Sequence, residues 1–279
     1  MKMKNQNFFE KIYLNDRYDL NKFKTSVFNG KILIPQGFSS LLSLIVEVEN
    51  HFLNFFNVSI DNFTKDNSII FEEKEIIRFQ KMIKQSKSLN EKFIVFLKDL
   101  NFKIEDTYFD QMTIRFSPSI NEKAKGLLKP VKPHRDTWAS NFQHQINWWI
   151  PLHNLSKKHS IFFIPKYFTK KVRNNSKEWS FKLFKKGFIK TSTPVSIQDF
   201  NLIDYKTKKI NYGDAFCFSG NHIHGSNLGK SRRLNIETRT LCKKDIKEFD
   251  LPKNVDNNNL IKQGKWFKSF INSNFYMND

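Results

Sequence analysis

The hydrophobic pattern of this chain changes period once, near residue 105, and that switch limits the fold more than any other feature. Before it, Ser39 and Ser40 precede a helical pattern. Leu41, Leu42, Ile45, Val48, Phe52 and Phe55 then fall at helix-like spacings. Further helices are predicted at about 70–87 and 89–100 (LNEKFIVFLKDL), and residues 25–36 (TSVFNGKILIPQ) read as a short strand before a turn. After the switch the pattern alternates. TYFDQMTIRFS (107–117), QHQINWWIPL (143–152), GDAFCFSG (213–220) and RRLNIETRTL (232–241) read as strands, and SIFFIP (160–165) as a short apolar one. SKEWSFKLFKKG (176–187) reads as an inserted helix. Helices first and short strands after predict an α+β, mainly β architecture. A sandwich or barrel at about 105–241 would be braced by helices at about 37–101 and followed by a polar, partly loose tail from about 244. No repeat and no Pro-, Gly- or Ser-rich linker divides the chain, so residues 1–279 are expected to form a single domain.

Composition excludes several classes. Two cysteines, Cys217 and Cys242, rule out a disulfide scaffold and a four-cysteine zinc site. An aromatic fraction of 15% argues against disorder. No uncharged apolar run approaches the ~20 residues of a membrane helix, and the charged N-terminus has no apolar core of a signal peptide, so a cytoplasmic protein is expected. The net charge is +20, from 47 Lys and Arg against 27 Asp and Glu. Such a surplus suits a polyanion partner. Lys, Asn, Ile and Phe are all abundant, however, as AT-rich coding produces, and no zinc finger, P-loop or RNA-binding aromatic signature accompanies the lysines. A small-molecule partner is therefore expected over nucleic acid, with a non-catalytic basic protein as the competing class.

Chemistry is sought among seven histidines, of which His144, His153 and His159 read as surface or supporting groups. His134 and Asp136 form H-x-D, and in a strand such a pair faces one side. An imidazole and a carboxylate so placed can share a metal. His222 or His224, after the GDAFCFSG strand, is available as a third ligand. Two histidines and one carboxylate on one face form the facial triad of non-haem Fe(II) oxygenases. A zinc hydrolase can use the same three ligands. The next strand separates Arg233, Asn235, Glu237 and Arg239 on one face from Leu234, Ile236 and Thr238 on the other. An inward guanidinium is costly without an anion. A dicarboxylate cosubstrate supplies one, because arginine pairs bidentately with carboxylate, whereas a hydrolase gives Arg233 no role. Gln145, Asn147 and Trp149 share the face opposite Ile146 and Trp148, placing them in the cavity or in solvent. Trp138, just after the metal motif, is a candidate wall of the substrate pocket or cap of the barrel, and Cys217 reads as a small buried hydrophobe.

Taken in order, PHRDTW, QINWWIPL, SIFFIP, GDAFCFSGNHIHGSN and RRLNIETRT resemble the phytanoyl-CoA dioxygenase-like branch of the Fe(II)/2-oxoglutarate oxygenases, over roughly residues 105–241. The resemblance implies a cupin-like double-stranded β-helix (jelly roll) with Fe(II) at one open end, and 2-oxoglutarate and O2 as cosubstrates. It matches His134, Asp136 and His224 to the metal ligands and Arg233 to the arginine that holds the far carboxylate of 2-oxoglutarate. Ser226 matches a hydroxyl on the cosubstrate and Trp149 an aromatic of the pocket; Gln145 and Asn235 join the cosubstrate site, and Trp138 and Asn147 the substrate side. Two departures stand out. The interval from His224 to Asn227 is two residues shorter than usual, which keeps His222 open as a ligand, and Asn235 stands where a serine is usual. The resemblance implies hydroxylation of an amino acid, a sugar or aminoglycoside-like compound, or an acyl compound, with release of succinate and CO2. Asp136 argues against a halogenase, whose halide site needs a small residue there. Substrate choice is expected to lie in the loops 118–132 and 167–212.

Overall fold

The computed structural model describes residues 7–14, 19–122, 130–251, 256–258 and 265–276. Residues 123–129 of the first expected selectivity loop, and parts of both termini, lie outside the described residues. The helical layer comprises α1 (Leu20–Phe28), α2 (Ser39–Phe56), α3 (Ile60–Lys65), α4 (Glu73–Gln85) and α5 (Lys87–Asp99). Leu41, Leu44, Ile45, Val48 and Phe52 form the buried stripe of α2, while Leu42 is exposed. The helix ends where Asn57 takes a left-handed conformation, which asparagine tolerates. Ser86 caps α5 by accepting the Leu89 N–H. The expected strand at 25–36 divides: α1 runs through Phe28, and only β2 (Ile32–Gln36) is extended.

Two sheets follow. The larger runs β1 (Phe9–Tyr13), β2, β8 (Phe216–Ser219), β5 (Gln145–Pro151), β10 (Arg233–Cys242), β3 (Thr107–Phe109) and β11 (Lys268–Ser269), with β4 (Thr113–Ser117) also on β10. All its pairings are antiparallel except β1 with β2. The smaller orders β7 (Lys206–Thr207), β6 (Ile161–Phe163) and β9 (His224–Ser226). The tail is thus not loose throughout: β11 pairs β3, and Phe267 is fully buried.

The alternation of side chains assigns each face of the large sheet a different neighbour. Leu33, Cys217, Ile146, Trp148, Ile150, Leu234, Ile236, Ile114 and Phe116 share one core with the helices. Trp148 packs there among Phe23, Phe93, Phe96 and Phe102, its indole N–H donating to Thr240. On the opposite face Ile32, Ile34, Phe216, Phe218 and Trp149 pack against Ile161 and Phe163 of the small sheet. Further along, β10 turns Arg233, Asn235, Glu237 and Arg239 to this second side, as the alternation predicts. One register defect matters. Phe109 pairs with Thr240 and Thr113 with Glu237, so three residues of one edge oppose two of β10. This β-bulge re-aims Asp110.

Candidate metal centre

His134 and His224 exchange both backbone hydrogen bonds, at 2.9 and 3.0 Å. Directly opposed residues project to the same side, and the two rings lie 4.3 Å apart between centroids. Asp136, two residues after His134, completes a buried cluster whose ligand atoms all lie within 4.8 Å of one another. The imidazole tautomers are dictated locally. His134 Nδ1 lies 2.8 Å from the Lys132 carbonyl and His224 Nδ1 lies 3.1 Å from the His222 carbonyl. A carbonyl only accepts, so both Nδ1 atoms carry the proton and both Nε2 lone pairs are free for a metal. Burial, together with His134, pushes the His224 imidazole down to about 4.

Asp136 is held from two directions. Asn147 donates to one carboxylate oxygen at 2.5 Å and Arg239 to the other at 3.2 Å. Behind Asn147 stands Gln145, which donates to it at 3.2 Å and accepts from Ser140 at 2.6 Å. Gly220 leaves room for this chain, since a Cβ there would lie 2.3 Å from Gln145 Nε2. Behind Arg239 stands Asp110, at 3.0 Å, delivered by the bulge. Burial raises the Asp136 carboxyl, but Arg239 and the two histidines outweigh it and hold it well below the usual range. Three close-set donors, two neutral and one anionic, fit a divalent metal of borderline hardness.

The second histidine of the cluster is His224. His222 is fully buried beside Phe8, Phe163 and Phe168 and lies outside the cluster. Apart from a weak contact with the Gly30 backbone its ring nitrogens lack partners, and burial pushes it down to about 3.

The rest of the wall belongs to β10 and its neighbours. Arg233 is fully buried. It donates to the carbonyls of His159 and Asn227 at 3.0 and 3.2 Å and to the hydroxyls of Ser117 and Ser226 at 3.0 and 3.1 Å. Every one of these acceptors is neutral, and among the described residues no carboxylate is ion-paired with it. Burial pushes its guanidinium down to about 10, against the pull of Glu237. Buried polar atoms nearby without a partner include Arg233 Nε, Trp149 Nε1, Asn235 Oδ1 and His159 Nε2. The guanidinium lies 5.4 Å over the Trp149 ring, which stacks on Phe216. Glu237 pairs instead with Arg115, through contacts of 3.1 and 3.3 Å.

Trp138 is fully buried among Phe162, Ile164, Val172 and Ile223, its indole N–H donating to Asp256 at 2.9 Å. Asp256 also takes Arg135 at 3.2 Å. Arg135, between the two proximal ligands, further donates to the Tyr167, Phe168, Lys170 and Asn221 carbonyls. The sequence reading missed Arg115, Asp110 and Asp256. Arg115 was legible in principle, because it alternates with Ile114 and Phe116. The other two depend on register and on tail docking.

No family model matches the chain, and no curated protein matches its sequence. Solved structures similar to it include EvdO2 from Micromonospora carbonacea var. aurantiaca complexed with 2-oxoglutarate, at 11% identity and a TM-score of 0.49, covering 81% of this chain and 91% of that one. Another is the epimerase SnoN in complex with Fe3+, alpha ketoglutarate and nogalamycin RO, at 10% and 0.45, covering 80% and 83%. A third is EctD from S. alaskensis in its apoform, at 12% and 0.43, covering 86% and 82%. At such identities and scores these likenesses assign neither reaction nor substrate, and the chemistry is read from the site itself.

Proposed function

We propose that the chain is a non-haem Fe(II)- and 2-oxoglutarate-dependent dioxygenase of the phytanoyl-CoA dioxygenase-like branch, which hydroxylates a small molecule. Its two facing sheets would be the halves of a double-stranded β-helix within one domain spanning 1–279. One observation carries the reading. A buried two-histidine, one-carboxylate cluster opens onto the same wall as a buried arginine that has only neutral partners and orphaned polar neighbours. A structural arginine would be expected to have its counter-ion within the fold. A site for a dicarboxylate leaves that place for the ligand.

His134, Asp136 and His224 would hold Fe(II) and leave three positions open. Iron with 2-oxoglutarate and O2 supplies oxidation of a C–H bond coupled to release of succinate and CO2. Arg233 would take the far carboxylate of the cosubstrate, helped by the Ser226 hydroxyl and the Trp149 N–H, with Asn235, whose Nδ2 donates to Glu237 at 3.2 Å, lining the same site. Ser226 lies two residues along β9 from His224, roughly 7 Å at strand spacing, a span that suits a short dicarboxylate reaching from metal to arginine. Asn147 and Gln145 would act through Asp136 as positioning residues, and Trp138 would pack behind the metal loop. The substrate would be an amino acid, a sugar or aminoglycoside-like compound, or an acyl compound.

The test is anaerobic addition of Fe(II) and then 2-oxoglutarate, watching for the visible charge-transfer band of the chelate. The expected result is a band in the wild type that disappears in Arg233→Ala and in His224→Ala. Iron binding without any band would overturn the assignment of the cosubstrate.

A further inference from the structure

Among the described residues, α6 (Phe181–Lys185) is the one α-helix that buries none of its side chains. It opens the stretch FKLFKKGFIK, residues 181–190. Phe181 and Leu183 are exposed, and Phe188 is 75% exposed. Lys182, Lys185, Lys186 and Lys190 alternate with them, and no acid is present. The same β6–β7 connection leaves Ile197, Leu202 and Ile203 exposed, the last two at 79% and 78%. Charge is uneven here too. Between Lys166 and Lys209 twelve Lys and Arg meet three Asp and Glu, so this stretch holds +9 of the chain's +20. The basic residues are spread along the chain, but acids are sparse along this stretch, with Glu178, Asp199 and Asp204 alone.

Large side chains left in water mark a binding surface when they gather. The lysines decide what kind. Lysine is depleted at the centre of protein–protein interfaces, so this mixture suits a protein partner poorly. Single-stranded nucleic acid is bound through open aromatic faces, whereas Phe181 has the Lys185 ammonium over its ring and Leu183 has no aromatic face to offer. A bilayer accepts both halves: acyl chains take Phe and aliphatic groups, while lysine stems lie along them with the ammonium among acidic headgroups. Phe181 already shows the arrangement, with the Lys185 ammonium 4.7 Å over its ring. The connection also touches the metal motif, since Ser196 N–H donates to the Pro133 carbonyl, next to His134.

We infer that residues 181–190 form a docking surface for the face of an acidic phospholipid bilayer, bound peripherally. The inference does not depend on the cosubstrate assignment. The experiment is co-sedimentation of the full chain, at physiological salt, with vesicles of phosphatidylglycerol and phosphatidylcholine or of phosphatidylcholine alone. The wild type is expected to pellet with the acidic vesicles only. Leu183→Ser with Phe188→Ser should weaken that partition at least about tenfold, and Lys185→Gln with Lys186→Gln several-fold. Lys81→Gln with Lys98→Gln, on the helical layer, should change it little. Thermal midpoints should stay at the wild-type value, because the substituted side chains are not buried. Absence of binding to acidic vesicles overturns the inference. So does binding that survives the serine substitutions, which would be the general attraction of a +20 chain. Tighter binding to oligo(dT), or a dimer in ultracentrifugation, lost in the same serine variant would overturn it in favour of nucleic acid or a second copy.

Discussion

Two arginines stand six residues apart on one face of β10 and are treated in opposite ways. Arg239 lies between two carboxylates, Asp110 at 3.0 Å and Asp136 at 3.2 Å. Burial works against its charge, but Asp136, Asp110 and Glu237 outweigh it and raise its pKa. Arg233 is buried more completely, has only neutral acceptors, and is pushed down to about 10. Arg239 therefore has its counter-ions within the protein, whereas Arg233 has none among the described residues. The difference separates the group that holds Asp136 from the group to which the proposed function gives the ligand's carboxylate.

The largest effect should come from Arg233→Met. Truncating one partner of a buried charge pair costs about 2–5 kcal/mol, so 2-oxoglutarate affinity of the Co(II)-loaded protein should fall about 100-fold by calorimetric titration. The apo-protein should lose little stability, because an uncompensated buried cation goes with the side chain. Arg239→Met should do the reverse to the apo-protein. It strands the buried Asp136 carboxylate and the half-buried Asp110, and a loss of about 2 kcal/mol, below that of a fully buried pair, is expected in urea denaturation. Equal destabilisation by the two substitutions would end the distinction between the two arginines.

Asp110→Asn sharpens the same contrast at lower amplitude. It leaves the metal ligands untouched but removes one anion from Arg239. Supporting partners of metal ligands typically contribute about 10–100-fold in affinity, and the lower end is expected here, read from Co(II) titration of the visible d–d bands. Unchanged Co(II) affinity would make the bulge a feature of the sheet alone.

Acidification probes the surroundings of Arg233. His153 and His159 are both pushed down to about 4, by burial and then by Arg233 itself. An unfolded histidine takes its proton near 6.5. Between 6.5 and about 4 the unfolded chain therefore binds protons that the folded chain refuses, and stability falls as the pH drops. The slope should flatten in His159→Gln. A urea midpoint independent of pH across that window would show these imidazoles to be solvated.

Much of this was legible because a strand alternates. RRLNIETRTL and QINWWIP displayed their two faces directly, with Arg233 turned inward, but whether the face of Asn147 and Trp149 met a cavity or solvent stayed open until the structure placed Asn147 on Asp136. H-x-D supplied two members of the cluster, and the presence there of His224 and not His222 is explained by one backbone bridge to His134. Pairing partners were not legible. Asp110 sits inside a stretch that reads as one strand, 107–117, and its role arises from a one-residue mismatch with β10 that neither strand shows alone. Asp256 meets Arg135 and Trp138 across more than a hundred residues, through a tail whose polar composition reads as loose. The N-terminal β1 was also missed, since its five residues FEKIY are charged and only partly buried.

The smallest predicted effect isolates a single hydrogen bond. Trp149→Phe keeps an aromatic ring against Phe216 and under Arg233 but removes Nε1, a buried donor with no partner. An unsatisfied buried donor costs about 1–3 kcal/mol, so the apo-protein should be as stable as the wild type or slightly more so, despite the smaller ring. A donor that waits for a ligand carboxylate should be missed only when that ligand binds. 2-Oxoglutarate affinity should then weaken about 10-fold, the lower end of what one hydrogen bond to a charged acceptor contributes. A tryptophan that merely packs would give the opposite pair of results, lower apo stability and unchanged cosubstrate affinity. The two readouts together assign the orphaned N–H either to the fold or to the ligand that Arg233 awaits.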